Sequence, residues 1–203
     1  MCGNGLRAAA HYLWVLGGES RHEIVFETDV GLRMARSLGG GMIECSMGIP
    51  VLGATLDLTI SRSLRSRVSS SRVFSSRVYC VDVGNPHAVV FAHPPSKKKF
   101  LESGAAIERH RAFPRRANVE FVRACGRSAL DVQVWERGVG ETEACGTGAV
   151  AAAVAAITKG LVRAGVPVRV KFPGGVAVVS WNGPGSEAFL RGSAALVYSG
   201  KIY

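Results

Sequence analysis

One short pattern occurs twice in this chain of 203 residues, and it limits the possible folds more than any other feature. Cys-Gly-Asn-Gly begins at Cys2, Cys-Gly-Thr-Gly begins at Cys145, and an alanine-rich run of helical character follows each of them. Segments with the alternating or continuous apolar patterns of strands surround both helices. The repetition predicts a duplicated α+β unit, in which each copy carries a cysteine at the start of a helix.

The remaining sequence predicts short strands and one further helix, separated by glycine and proline signals such as Gly17-Gly18 and Pro114. The predicted helices cover 6–16, 98–110 and 146–160. The predicted strands cover 22–29, 31–37, 42–48, 55–61, 77–83, 88–92, 118–125 and 129–138, and 166–181 and 188–203 are expected to form hairpin strands. The Ser/Arg-rich stretch 61–77 is predicted to be a loop.

The net charge of +10 raises the question of nucleic acid or another polyanion as a partner. Much of this charge lies in the stretch 61–77, so a solvated surface is favoured over a nucleic-acid site. Salt-dependent binding to heparin or DNA would separate the two interpretations. No apolar run approaches the roughly eighteen residues of a membrane span, and no secretory leader is visible, so we expect a cytoplasmic protein without a membrane partner.

The five cysteines do not predict a disulfide framework, because their number is odd and no secretory leader is visible. Their spacing does not indicate a zinc site either. Cys45, Cys80 and Cys125 are expected to be small buried hydrophobic residues. Cys2 and Cys145 each begin a Cys-Gly-x-Gly pattern, whose glycines would leave a thiol open to a ligand.

A cysteine at a helix start has a particular chemistry. The free N–H groups and the positive end of the helix dipole attract an anion such as a carboxylate, and they are expected to lower the thiol pKa. One such motif indicates a nucleophile or a redox cysteine. Two indicate inversion of a carbon next to a carboxylate, since one group must remove a proton from one face while the other delivers a proton to the opposite face.

Two further segments carry polar groups suited to such a site. Asn85 and His87 lie in Gly-Asn-Pro-His after a predicted strand, where Asn85 can hydrogen-bond and His87 can partner a thiol. Glu136 and Arg137 precede the second cysteine motif. Arg137 can hold a carboxylate with a two-pronged contact, and Glu136 can hold an amino group or polarise a thiol.

Taken together, the segments MCGNGLR, VDVGNPHAVVF, FPRRANVEFV and ERGVGETEACGTGA, in this order, resemble the diaminopimelate epimerase family. The resemblance covers nearly the whole chain. It implies an isomerase that interconverts LL- and meso-2,6-diaminopimelate without pyridoxal phosphate, any other cofactor or a metal. It also implies a homodimer with a small-molecule substrate.

The resemblance assigns roles to individual residues. Cys2 and Cys145 would be the acid/base pair on opposite faces of the substrate α-carbon, with His87 and Glu136 as their polar partners. Tyr198 would lie at the dimer interface. The implied substrate-binding residues are Gly3, Asn4, Asn85, Asn118, Glu136, Arg137, Gly146 and Thr147.

The implied fold is α+β, with two pseudo-symmetric lobes, each a curved mixed β-sheet around a central helix, and the active site between them. Residues 1–46 with 193–203 are expected to form an incomplete first lobe, and 47–192 the second. The family's chains begin well before their first Cys-Gly-Asn-Gly, and that front segment supplies strands and substrate contacts. We therefore expect this polypeptide alone to be weakly active or inactive.

Other functions remain open at this point. Proline and hydroxyproline racemases use the same two-thiol chemistry, but they resemble Cys-Gly-His-Gly at the first thiol, so Asn4 argues against them. A related isomerase branch lacks the cysteine pair and is excluded by Cys2 and Cys145. A non-catalytic basic fragment is the alternative from a different class, and the intact spacing of the motif residues argues against it.

Overall fold

The computed structural model describes residues 2–61, 73–92 and 96–201, which form helices and strands in alternating groups. The helices are α1 (Gly3–Val15), α2 (Lys97–Glu108) and α3 (Gly146–Thr158). The strands are β1 (Glu23–Thr28), β2 (Gly31–Ser37), β3 (Met42–Ser46), β4 (Val51–Ser61), β5 (Val73–Asp82), β6 (Pro86–Phe91), β7 (Asn118–Ala124), β8 (Ala129–Glu136), β9 (Gly140–Thr142), β10 (Val168–Phe172), β11 (Gly175–Ser180) and β12 (Phe189–Ser193). Within the described part of the chain, no helix is long and apolar enough to cross a membrane.

The two alanine-rich helices begin and end for the same local reasons. Each starts after a cysteine in extended conformation, whose side chain accepts a hydrogen bond from the backbone three residues on. Each is followed by a glycine in the left-handed region, Gly18 at φ 70° and Gly160 at φ 72°, a conformation that halts a helix at little cost only for glycine.

All twelve strands belong to one mixed sheet. Its order is β1-β2-β3-β12-β11-β10-β8-β7-β6-β5-β4, and β9 pairs with β8 off this path. The pairs β6–β7 and β8–β10 are parallel, whereas the other pairs are antiparallel. This arrangement confirms the predicted α+β class with a mixed sheet.

Each helix packs against its own part of the sheet. The largest apolar core surrounds α3, ten of whose residues are buried. A second core lies under α2, around Phe100 and Phe121. A smaller one joins Leu6 and Ala10 of α1 to Ala35, Ile43 and Cys45.

Strand β12 connects the part of the sheet under α1 to the part under α3. It pairs with β3 on one side and with β11 on the other. The two alanine-rich helices therefore lie over one continuous sheet. The division into residues 1–46 with 193–203 and residues 47–192 stays a prediction.

Most predicted elements are present, but the predictions for the C-terminal part and for one cysteine are wrong. Strand β12 ends at Ser193, and residues 194–201 form neither helix nor strand. Strand β9 was not predicted. Within the stretch 61–77, residues 62–72 lie outside the described residues, and residues 73–77 belong to β5. Cys45 is buried and Cys80 half-buried, whereas Cys125 is exposed because it follows the end of β7 in a turn.

Candidate active site

The two cysteine-capped helix starts have nearly the same geometry. Gly5 N–H donates to Cys2 Sγ at 3.4 Å, and Gly148 N–H donates to Cys145 Sγ at 3.4 Å. The backbone of Cys2 (φ −117°, ψ 112°) matches that of Cys145 (φ −132°, ψ 122°). Each sulfur therefore lies at the positive end of its own helix, as the repeated motif predicted.

The two helix starts also lie beside each other. A Cβ added at Gly3 or at Gly146 would lie 3.1 Å from Leu190 Cδ2 in either case. A Cβ at Gly146 would also lie 3.4 Å from Gly3 Cα and 3.6 Å from Asn4 Oδ1. The first glycine of each motif thus permits the close approach of both helices to Leu190 on β12.

Cys145 lies at one end of a row of polar side chains that hydrogen bonds link to one another. Thr147 Oγ1 lies 3.4 Å from Cys145 Sγ, and Asn85 Nδ2 donates to Thr147 Oγ1 at 3.4 Å. Asn85 Oδ1 lies 3.1 Å from His87 Nε2, and His87 Nδ1 lies 2.7 Å from Glu120 Oε1. The structure therefore brings the predicted residues Asn85, His87 and Thr147 to the second cysteine, together with Glu120, which was not predicted.

The prediction that the helix start lowers the thiol pKa is wrong for Cys145. Burial raises its pKa to about 12, and the negative charges of Glu120 and Glu136 act in the same direction. The hydrogen bonds from Thr147 and from Gly148 N–H oppose this rise without cancelling it. Cys145 is therefore held as a thiol at neutral pH.

Glu120 is the functional candidate that sequence reasoning missed. It lies in β7, is fully buried, and belongs to a stretch whose neighbours Val119 and Phe121 are also buried. Burial raises the pKa of its carboxyl, whereas the adjacent His87 lowers it. A single acidic residue inside the apolar run Val-Glu-Phe-Val was the signal available in the sequence, because a buried carboxylate requires a partner.

Glu136, Arg137 and Asn118 meet at the end of β8. Glu136 Oε1 accepts a hydrogen bond from Thr142 at 2.6 Å. Asn118 accepts a bond from the Arg137 N–H at 2.9 Å and donates to the Pro86 carbonyl at 3.3 Å. Asn118 thus ties the start of β6 to the end of β8, and the Arg137 side chain is exposed, with a bond to the Arg115 carbonyl.

A second buried carboxylate fixes the turn that carries Arg137. Glu108, at the end of α2, accepts hydrogen bonds from the Trp135 indole at 2.8 Å and from Gly138 N–H at 2.9 Å. These bonds and the neighbouring arginines lower the pKa of Glu108 against the opposing effect of burial. The loop after β8 is therefore anchored on both sides of Arg137.

A cleft of about 200 Å³ lies next to the helix starts. Asn4 and Arg7 of α1, Cys145 and Gly146 of the second motif, and Leu190 are among the residues that line it. Cys2 is exposed and is not one of these lining residues. Tyr198 is 83% exposed, and its role at a dimer interface stays a prediction, as do the roles of the other site residues.

Sequence comparison gives the family. The family profile described as diaminopimelate epimerase matches residues 79–197. The chain is 36% identical to the diaminopimelate epimerase of Thermosynechococcus vestitus over 212 residues, which cover 100% of this chain and 74% of that protein. It is 37% identical to the diaminopimelate epimerase of Neisseria meningitidis, with 99% of this chain and 72% of that protein covered.

Solved structures show the same fold at low sequence identity. A probable proline racemase from Agrobacterium radiobacter matches with a TM-score of 0.68 at 16% identity, over 95% of this chain and 65% of that one. A hydroxyproline epimerase from Agrobacterium vitis matches with a TM-score of 0.67 at 18% identity, over 94% of this chain and 63% of that one. The chain thus spans just under two thirds of these structures. From its sequence and its fold, the chain belongs to the diaminopimelate epimerase family of isomerases.

Proposed function

We propose that this chain is a two-thiol epimerase that interconverts LL- and meso-2,6-diaminopimelate, a step of lysine and peptidoglycan precursor synthesis. The observation that carries the proposal is the meeting of two cysteine-capped helix starts at Leu190. Relatives that are 36% and 37% identical to this chain over the aligned residues bear the name of that enzyme. The proposal includes the cytoplasm as the location and a homodimer, with Tyr198 in its interface.

The proposed mechanism uses one thiolate and one thiol. In one direction, the Cys2 thiolate takes the α-proton of the substrate and becomes a thiol, while the Cys145 thiol gives its proton to the opposite face and becomes a thiolate. The raised pKa of Cys145 supports its role as the donor in this direction. In the reverse direction the roles are exchanged, so the net proton count of the pair is unchanged.

The charge that develops on the substrate requires stabilisation, because an α-proton of an amino acid is a very weak acid. The free N–H groups at the two neighbouring helix starts favour a carboxylate there. We assign substrate binding to the residues of the two motifs and of the adjacent loops, namely Gly3, Asn4, Asn85, Asn118, Glu136, Arg137, Gly146 and Thr147. His87 and Glu136 are the polar partners of the thiols.

The thiols themselves carry the protons in this mechanism, so pyridoxal phosphate and metal ions take no part in it. The expected result is that a chelator and a carbonyl-trapping reagent leave the rate unchanged. A thiol-alkylating reagent is expected to abolish the activity, because inversion needs both acid/base groups and alkylation of the exposed Cys2 removes one of them.

The experiment that tests the proposal is a stereochemical assay of the purified 203-residue chain. LL-diaminopimelate, L-proline and trans-4-hydroxy-L-proline are each incubated with the protein, and the stereoisomers are separated by chiral chromatography. Formation of meso-diaminopimelate alone supports the proposal. Inversion of proline or hydroxyproline in preference would replace it with the racemase alternative. No inversion of any of the three by this chain joined to the front segment of the Thermosynechococcus vestitus relative would contradict the proposal, whereas weak or absent inversion by the 203-residue chain alone is the expected result.

A further inference from the structure

Glu120 has no role in the mechanism described above, although it contacts His87 and faces the same space as Cys145. Its side chain is fully buried on β7, and its Oε1 lies 2.7 Å from His87 Nδ1. Among the described residues, no hydrogen-bond partner is present for its second oxygen, Oε2. A buried carboxylate with one unsatisfied oxygen is destabilising, so its presence beside reactive groups calls for a functional explanation.

The glycine at the third helical position of the second motif leaves a space between Glu120 and the thiol open. A Cβ at Gly148 would lie 2.8 Å from Glu120 Oε1 and 3.4 Å from Cys145 Sγ. The carboxylate and the sulfur therefore face the same small space, which a side chain at this position would fill. The missing side chain of Gly148 leaves the charge of Glu120 unshielded toward Cys145.

The hydrogen bonds that join Thr147, Asn85, His87 and Glu120 determine which of these side chains carries each proton. Asn85 donates its amide N–H to Thr147, so its Oδ1 faces His87 and requires a proton on His87 Nε2. The bond between His87 Nδ1 and Glu120 then holds one proton between the two groups. Thr147, which accepts from Asn85, keeps its own hydroxyl proton free to bond the Cys145 sulfur.

The titratable groups that face Glu120 come from three elements. They are His87 from β6, Glu136 from β8, and Cys145 at the start of α3. His87 is bonded to Glu120 and Glu136 repels it, and both carboxylates oppose ionisation of Cys145. Glu120 and Glu136 thus lie near the cysteine that donates a proton in the proposed mechanism, and their charges favour its thiol form over the thiolate.

We propose that Glu120 is a positioning residue for the epimerase reaction, which holds His87 at Nδ1 and, across the space left open by Gly148, keeps Cys145 in its protonated, proton-donating form. The inference deepens the proposed function and rests on it. It adds this buried carboxylate to burial and to Glu136 as a cause of the difference between the two thiols.

Glu120→Gln tests the inference with a side chain of the same size. Iodoacetamide alkylation of Cys145 is followed by peptide mass spectrometry as a function of pH, which needs no turnover. The midpoint is expected to move to lower pH by about one unit, a tenfold change in the ratio of thiolate to thiol. The alkaline limb of the rate profile is expected to move in the same direction, because it reports loss of the donor proton.

The matched control is Glu44→Gln. Glu44 is a buried carboxylate on β3 that is hydrogen-bonded to Arg191 and has no hydrogen bond to the side chains that link Glu120 with Cys145. Glu44→Gln is expected to leave the Cys145 midpoint unchanged. Gly148→Ala is the second test, since its methyl group would push the Glu120 carboxylate away while all charges remain. It is expected to shift the midpoint in the same direction by a smaller amount.

The outcomes separate the two proposals. A folded Glu120→Gln protein whose Cys145 midpoint and rate profile match those of the wild type overturns the inference and leaves the epimerase function intact. Absence of inversion activity in the wild-type chain joined to a relative's front segment contradicts the proposed function, while a shifted Cys145 midpoint in Glu120→Gln would still show that Glu120 controls this thiol. Should Glu120→Gln fail to fold, an unchanged midpoint in Gly148→Ala overturns the inference instead.

Discussion

The starts of α1 and α3 carry the same motif and the same cap, yet they place their sulfurs in different surroundings. Cys2 is exposed and bonded to Gly5 N–H. Cys145 is 8% exposed and lies next to the Thr147 hydroxyl. Burial and the charges of Glu120 and Glu136 raise its pKa. The motif thus determines where the thiol lies, whereas residues from distant strands determine its protonation.

The helices behind the two motifs differ in the same way. Helix α1 buries three residues, Gly3, Leu6 and Ala10, against a small core, and Tyr12 and Leu16 at its end are more than half exposed. Helix α3 buries ten residues, eight of which belong to the largest core. Packing of an apolar face provides most of the stability of a helix, so the second motif rests on the firmer support.

The largest expected difference between the two helix starts is in the rates at which Cys2 and Cys145 are alkylated at one pH. At pH 8, Cys2 is expected to react with iodoacetamide about 100-fold faster than Cys145, since the thiolate is the nucleophile and Cys145 is both buried and held as a thiol. The rate at Cys145 should continue to rise with pH beyond 10, because its midpoint lies at about 12. Equal rates at pH 8, measured by peptide mass spectrometry, would remove the distinction.

Removal of the Thr147 hydroxyl should weaken the second motif alone. Thr147→Val is expected to lower kcat/KM about tenfold, because one hydrogen bond to the Cys145 sulfur contributes about 1–1.5 kcal/mol. Thr158→Val is the matched control, as its hydroxyl bonds the Val154 carbonyl at the far end of the same helix. A comparable loss of kcat/KM in both variants would indicate a general effect on α3.

Overpacking should distinguish the two helices by stability, and this is the smallest of the expected effects. Ala153→Leu, at a fully buried position of α3, is expected to lower the free energy of unfolding by about 1–3 kcal/mol. Ala9→Leu, at an exposed position of α1, should leave the stability nearly unchanged. Urea denaturation measures both, and equal losses would contradict the difference in packing.

The sequence predicted the local features of the site and missed the long-range ones. Cys2 and Cys145 could be placed at helix starts because capping and helix formation depend on neighbouring residues. The sign of the Cys145 pKa shift could not be predicted, since it depends on burial and on Glu120 and Glu136, which lie on other strands. The helix dipole alone gave the opposite sign.

The fold shows the same limit. Alternating and apolar runs predicted most strands, whereas residues 194–201 carry apolar residues without forming a strand. Strand β9 has three residues and exists only because β8 offers it a pairing edge. Glu120 was passed over because a lone acidic residue in an apolar strand does not reveal its partner, and His87 comes from a neighbouring strand.

The most direct test of the two-thiol claim is deuterium exchange into LL-diaminopimelate in heavy water, compared between Cys2→Ser, Cys145→Ser and the exposed control Cys125→Ser. The account predicts that Cys125→Ser inverts the α-carbon and incorporates deuterium as the wild type does, whereas each of the other two loses inversion by about 10³-fold or more. Full inversion activity in either Cys2→Ser or Cys145→Ser would contradict it.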